Sequence, residues 1–147
     1  MWGLSWHFVI KVVCGTILAA CSLVLVWTAG PTIESRLFPV VSKLRIVTIA
    51  GDADGNAIIT AEFSKLRNCE YVGLSWFRGL PEGEFERVPV ILLRKDGDTS
   101  SPNRPVGTQR AGPWIIGMPP GEVRGNSFAK LYHRCHGAWL TTTDFFP

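Results

Sequence analysis

Cys69 and Cys135 stand apart from the other two cysteines, Cys14 and Cys21, and histidines crowd the later one: His133-Arg134-Cys135-His136. Imidazoles and thiolates are the ligands of zinc sites, and Cys69 would complete a set of four. Strand geometry opposes that convergence. His133 and Cys135 would share a face, and His136 would point the other way unless the chain turns at Gly137. The spacing matches no zinc or haem motif. An even pair in an exported domain reads as a disulfide, so we expect Cys69 bonded to Cys135, with a metal or redox site as the weaker alternative.

Other chemistry-bearing residues give less. Gly73-Leu74-Ser75-Trp76-Phe77 lacks the second glycine of a nucleophile elbow. Glu82, Glu84 and Glu86 alternate and would share a strand face, as paired carboxylates of glycoside hydrolysis must. Three carboxylates on a polar loop are more simply a solvated edge. Asp52-Ala53-Asp54-Gly55-Asn56 has the acidic start of a calcium loop, but its sixth and twelfth positions are Ala57 and Phe63, where a glycine and an acid are required. No glycine-rich loop cradles phosphate. The expectation is a non-enzymatic protein without cofactor or bound metal. Trp76, Trp114 and Trp139 are read first as core, with Trp114 and Trp139 as the candidate binding surface for a glycan or peptide.

The elements that would position these residues divide at Pro31. Before it, Lys11 is the one charged side chain, and Val12–Ala29 is an uncharged run of bilayer length. Lys11 can snorkel to the interface, and Trp2, Trp6 and Trp27 flank the run where indoles prefer to sit. A helix from Trp6 to Trp27 would be roughly 32 Å long, close to the hydrocarbon thickness. Residues 1–30 are therefore read as a transmembrane anchor, and Gly30-Pro31 as its stop. Gly15 and Ala19 form a small-xxx-small pair of the kind composition alone produces. Leu18-Ala19-Ala20-Cys21 resembles a bacterial lipobox, and that resemblance implies lipid on Cys21. The stretch from Ser22 to Trp27 departs from the pattern by staying hydrophobic.

Basic residues near the run, Lys11 before it and Arg36, Lys43 and Arg45 after it, point the wrong way for export. The short N-terminal tail, the long following domain and the cysteine pair favour an extracytoplasmic C-terminal domain behind a signal anchor. The net charge of +3 is small and scattered, which excludes a nucleic-acid stripe.

Residues 31–45 read as a juxtamembrane connector and residues 46–147 as a β-rich ectodomain. Ile46–Ala50 and Ala57–Phe63 alternate around an Asp-Gly turn, the pattern of a hairpin. A third strand covers Cys69–Phe77, with Val72, Leu74 and Trp76 facing the core and a bulge at Gly73. A fourth covers Arg87–Arg94, with Pro89 marking an edge. Residues 96–109 read as a loop and Trp114–Gly117 as a short apolar segment; Ser127–Cys135 and Ala138–Thr143 are the last strands. Short strands, frequent turns and no amphipathic helix predict a small antiparallel sandwich or barrel. Immunoglobulin spacing is not met, because Trp76 follows Cys69 within one strand and Tyr132 stands three residues before Cys135. The expected function is a membrane-anchored envelope protein whose β domain meets a protein partner, or a second copy, at the membrane surface. A glycan- or peptide-binding module and a lipoprotein-type accessory protein are the alternatives.

Overall fold

The structure is a computed structural model describing residues 6–93 and 102–145. It comprises one long helix, α1 (Trp6–Leu37), and eight strands: β1 (Arg45–Gly51), β2 (Ala57–Lys65), β3 (Glu70–Gly79), β4 (Phe85–Val88), β5 (Val90–Leu92), β6 (Gly107–Ile116), β7 (Ser127–Arg134) and β8 (Thr141–Phe145). The strands form two antiparallel sheets ordered β1-β2-β6-β5 and β4-β3-β7-β8. Side chains from both sheets make one core, with Ile59 and Ile116 meeting Trp76, Ala129 and Phe145.

The helix is long and apolar enough to cross a membrane, with a mean hydropathy of 2.5 and no part of the apolar window buried. Two of its hydroxyls are satisfied within the helix: Thr16 Oγ1 donates to the carbonyl of Val13 at 2.8 Å and Thr28 Oγ1 to that of Val24 at 2.9 Å. Such internal pairing is what a segment surrounded by hydrocarbon needs. The expected stop at Gly30-Pro31 is corrected, because the helix continues through Pro31 to Leu37. Proline removes one helical donor, but tertiary contacts of Glu34 and Ser35 hold the turns that follow.

The segment after the helix is no slack tether. Val40, Val41 and Leu44 are core residues. The amides of Leu66 and Arg67 donate to the carbonyl of Val40, and that of Ser42 donates to Ser64. Sequence reading saw a connector here because the Val-Val pair is too short to show a period.

The first hairpin forms as expected, closed by Asp52, whose Oδ1 accepts from the amides of Asp54 and Asn56 at 2.9 and 2.7 Å. Gly55 supplies the positive φ of 82° that the turn requires. In β3 the register slips between Tyr71 and Gly73, so the expected bulge is present. Its consequence corrects the face assignment. The extra residue turns Val72 outward, and Tyr71 joins Leu74 and Trp76 on the inner side.

The expected fourth strand is two strands in different sheets. β4 pairs with β3, the chain crosses at Pro89, and β5 pairs with β6. Both are edges, where a residue without an amide hydrogen is tolerated. The expected loop at 96–109 lies partly outside the described residues, and its last part, Gly107–Gln109, is strand. Trp114–Gly117 belongs largely to the ten-residue β6, which Gly112-Pro113 interrupts opposite Thr60.

Candidate functional site

Two places gather polar side chains that the fold does not need for its sheets: the junction between α1 and the sandwich, and a cavity between the sheets.

The junction centres on Glu34, whose side chain is 12% exposed. Its carboxylate accepts from Arg67 Nη1 at 2.8 Å and from Trp139 Nε1 at 2.7 Å, and pairs with His136 Nε2 at 3.0 Å. Arg67 also donates to the carbonyl of Phe38 at 2.8 Å, tying the end of the helix to the β2–β3 turn. Beside it, the amide of Thr142 in the edge strand β8 donates to Ser35 Oγ at 3.2 Å. The helix thus occupies a donor that an open sheet edge would leave free. Trp139 lies across Gly30 and meets Trp27 edge-on, with ring centroids 6.1 Å apart. A Cβ on residue 30 would come within 2.7 Å of the Trp139 ring, so a side chain there would have to displace the indole.

The cavity has a volume of about 90 Å³. Its walls include Leu74 and Trp76 from β3, Trp114 from β6 and Leu131 from β7, and its polar lining includes Lys65, Tyr71 and His133. Lys65 is 3% exposed, and its Nζ donates to the carbonyl of Cys69 at 2.9 Å. Burial pulls its pKa below the ordinary lysine value. His133 is 2% exposed, and its Nδ1 has no hydrogen-bond partner. Burial, helped by the charge on Lys65, lowers the imidazole pKa to about 4, so the ring is neutral at physiological pH. Tyr71 packs edge-on to that ring at 5.9 Å, and burial raises the pKa of its phenol. The disulfide closes this end of the domain, with Cys69 and Cys135 joined and their Cα atoms 4.6 Å apart.

The structure separates several residues that the sequence placed together. The Cys69 and Cys135 sulfurs are bonded to each other, His133 lines the cavity, and His136 faces Glu34. The four-ligand metal arrangement is thereby corrected, and no group of His, Cys, Asp and Glu among the described residues is set to hold a metal ion. Trp114 turns into the cavity and Trp139 against the helix, so the two do not form one exposed platform. Cys21 sits exposed in the middle of the uninterrupted helix. Glu82, Glu84 and Glu86 are exposed, and Glu86 pairs with Arg78 at 3.0 Å. Ser75 is buried without a base beside it among the described hydrogen bonds. Sequence reading missed Glu34, Arg67 and Lys65. A lone charged residue near a helix end or strand end carries no signal of its eventual partner.

Compared with protein-family models, curated proteins and solved structures, the chain matches none of them.

Proposed function

We propose that this chain is a single-pass membrane protein that holds its β-sandwich directly against the extracytoplasmic face of a membrane and presents it to a protein partner. The observation that carries the reading is the junction at Glu34. It fixes the helix to the domain through Arg67, His136 and Trp139, while Val40, Val41 and Leu44 lock the intervening segment into the core. A domain on a flexible stalk samples many heights, whereas a bolted one offers a partner a single height and orientation, with less ordering to be lost on binding.

Three further features support the reading. Trp27, at the end of the apolar run, is where an interfacial indole belongs, and its contact with Trp139 supports a sandwich held at headgroup level. The disulfide fits an oxidising compartment. Among the described residues, strand β5 is hydrogen-bonded on one side only, and it leaves Ile91 and Leu92 exposed. An exposed apolar edge accepts an added strand from a partner or a second copy.

Purification in a mild detergent tests the reading. The wild-type chain should elute with a defined partner or as a defined oligomer. The edge variant Ile91→Lys should release it, since a charge is introduced where strands would pair. A wild-type chain that runs as a lone monomer, or an Ile91→Lys chain that keeps its partner, would count against partner binding at this edge.

A further inference from the structure

The cavity between the sheets holds a combination that stability alone does not explain. Lys65 is buried, and among the described residues no carboxylate lies within ion-pair distance of it; its ammonium has a single hydrogen bond, to the Cys69 carbonyl. An ammonium taken out of water without an anion is costly, and an apolar side chain of the same length would cost less. Next to it, the Nδ1 of His133 is buried without a partner. Arg104 adds a second cationic side chain to the lining, and no acidic residue among the described residues contributes to it. Apart from the phenol of Tyr71, the remaining described wall is largely apolar, with Leu74, Trp76, Trp114 and Leu131.

We propose that this cavity binds a small apolar monocarboxylate, its carboxylate seated on Lys65 and the His133 imidazole and its tail between Leu74, Leu131 and Trp114. Each part of such a ligand answers one feature of the site. A carboxylate supplies the missing countercharge for the ammonium, and its oxygen accepts from the ring nitrogen in the tautomer that carries hydrogen on Nδ1. An aliphatic tail fills the apolar wall. A volume of about 90 Å³ is smaller than the roughly 150 Å³ that admits benzene, so the whole ligand is smaller than benzene and its tail is about one or two carbons. Glycans and nucleotides are too large and too polar for this space. The inference does not depend on partner binding at β5.

The test uses the full chain in a neutral maltoside detergent, with propionate as the probe. Binding is read from the indole signals of Trp76 and Trp114, which line the cavity. Propionate should shift both saturably, while propionamide, of the same shape without charge, and propylamine should not. Lys65→Met should weaken binding by about tenfold or more, the usual effect of losing a charged hydrogen bond. Ala111→Leu, which fills the cavity and keeps Lys65, should abolish it. If Lys65→Met fails to fold, Ala111→Leu and the amide control decide the matter. No saturable shift up to roughly 10 mM propionate, equal binding of the amide, or unchanged binding in a folded Lys65→Met or Ala111→Leu chain would overturn the assignment.

Discussion

Truncating Glu34 to alanine should free the sandwich from the helix without unfolding either. The carboxylate is contacted by three donors, at 2.8, 3.0 and 2.7 Å, and its side chain is 12% exposed. A hydrogen bond to a charged group contributes about 1.5–3 kcal/mol, but three such bonds do not add. The side chains of Arg67 and His136 are 34% and 37% exposed, so both rehydrate once the carboxylate is gone. Arg67 also keeps its bond to Phe38. The net loss is then about 2–4 kcal/mol, or roughly 30- to 1,000-fold in the ratio of docked to undocked molecules. Pulsed electron spin resonance on the chain in lipid nanodiscs reads this ratio. One label is placed on Cys21, with Cys14 replaced by alanine, and a second on Asp54→Cys in the exposed turn of the first hairpin. The parent should give one narrow distance distribution, and Glu34→Ala a broad or divided one. A distribution that stays narrow in Glu34→Ala would show that Val40, Val41 and Leu44 hold the domain unaided, and the junction argument would fail.

Further outcomes follow from the core. His133 titrates at about 4 in the folded domain and near 6.5 when unfolded. The unfolded chain therefore binds more protons across that window, and stability should fall as pH drops from 6.5 to 4, by up to about 3 kcal/mol. Denaturant midpoints measured across this range should flatten in His133→Leu. Replacing both Cys69 and Cys135 by alanine opens a loop whose ends are 66 residues apart, which should cost about 4 kcal/mol in thermal or chemical unfolding. Gly30→Leu should loosen the same junction as Glu34→Ala, because a side chain there runs into the Trp139 ring at 2.7 Å or closer. Its signature is a red shift and faster quenching of Trp139 fluorescence in a background where the other tryptophans are replaced by phenylalanine. An unchanged spectrum would place Trp139 elsewhere.

The long apolar helix, the first hairpin, β7 and the disulfide are legible in the sequence because each rests on local pattern, whereas the last strand, expected at Ala138–Thr143, is β8 at Thr141–Phe145. An uncharged run, an Asp-Gly turn between alternating residues and an even cysteine pair need no partner to be recognised. Legibility fails where tertiary contacts override local preference. Pro31 reads as a stop, yet Glu34 and Ser35 hold the next turns helical from the domain side. The bulge at β3 is foreseeable from Gly73, but which residue it expels is not, so Val72 was assigned to the wrong face. β6 is hidden because Gly112-Pro113 divides it into pieces that look like loop. The Glu34 cluster joins residues 33, 102 and 105 positions apart, and the cavity joins five strands. Neither leaves a mark in any one stretch of sequence.

Thiol labelling of intact cells with a membrane-impermeant maleimide, with and without an impermeant reductant, tests the central claim most directly. If, as proposed, the N-terminal helix holds the domain outside, Cys135, half-buried and bonded to Cys69, should label only after reduction and without breaking the membrane. Labelling that requires a broken membrane and no reductant would put the domain in the cytosol with free thiols, and both the topology and the proposed extracytoplasmic function would be wrong.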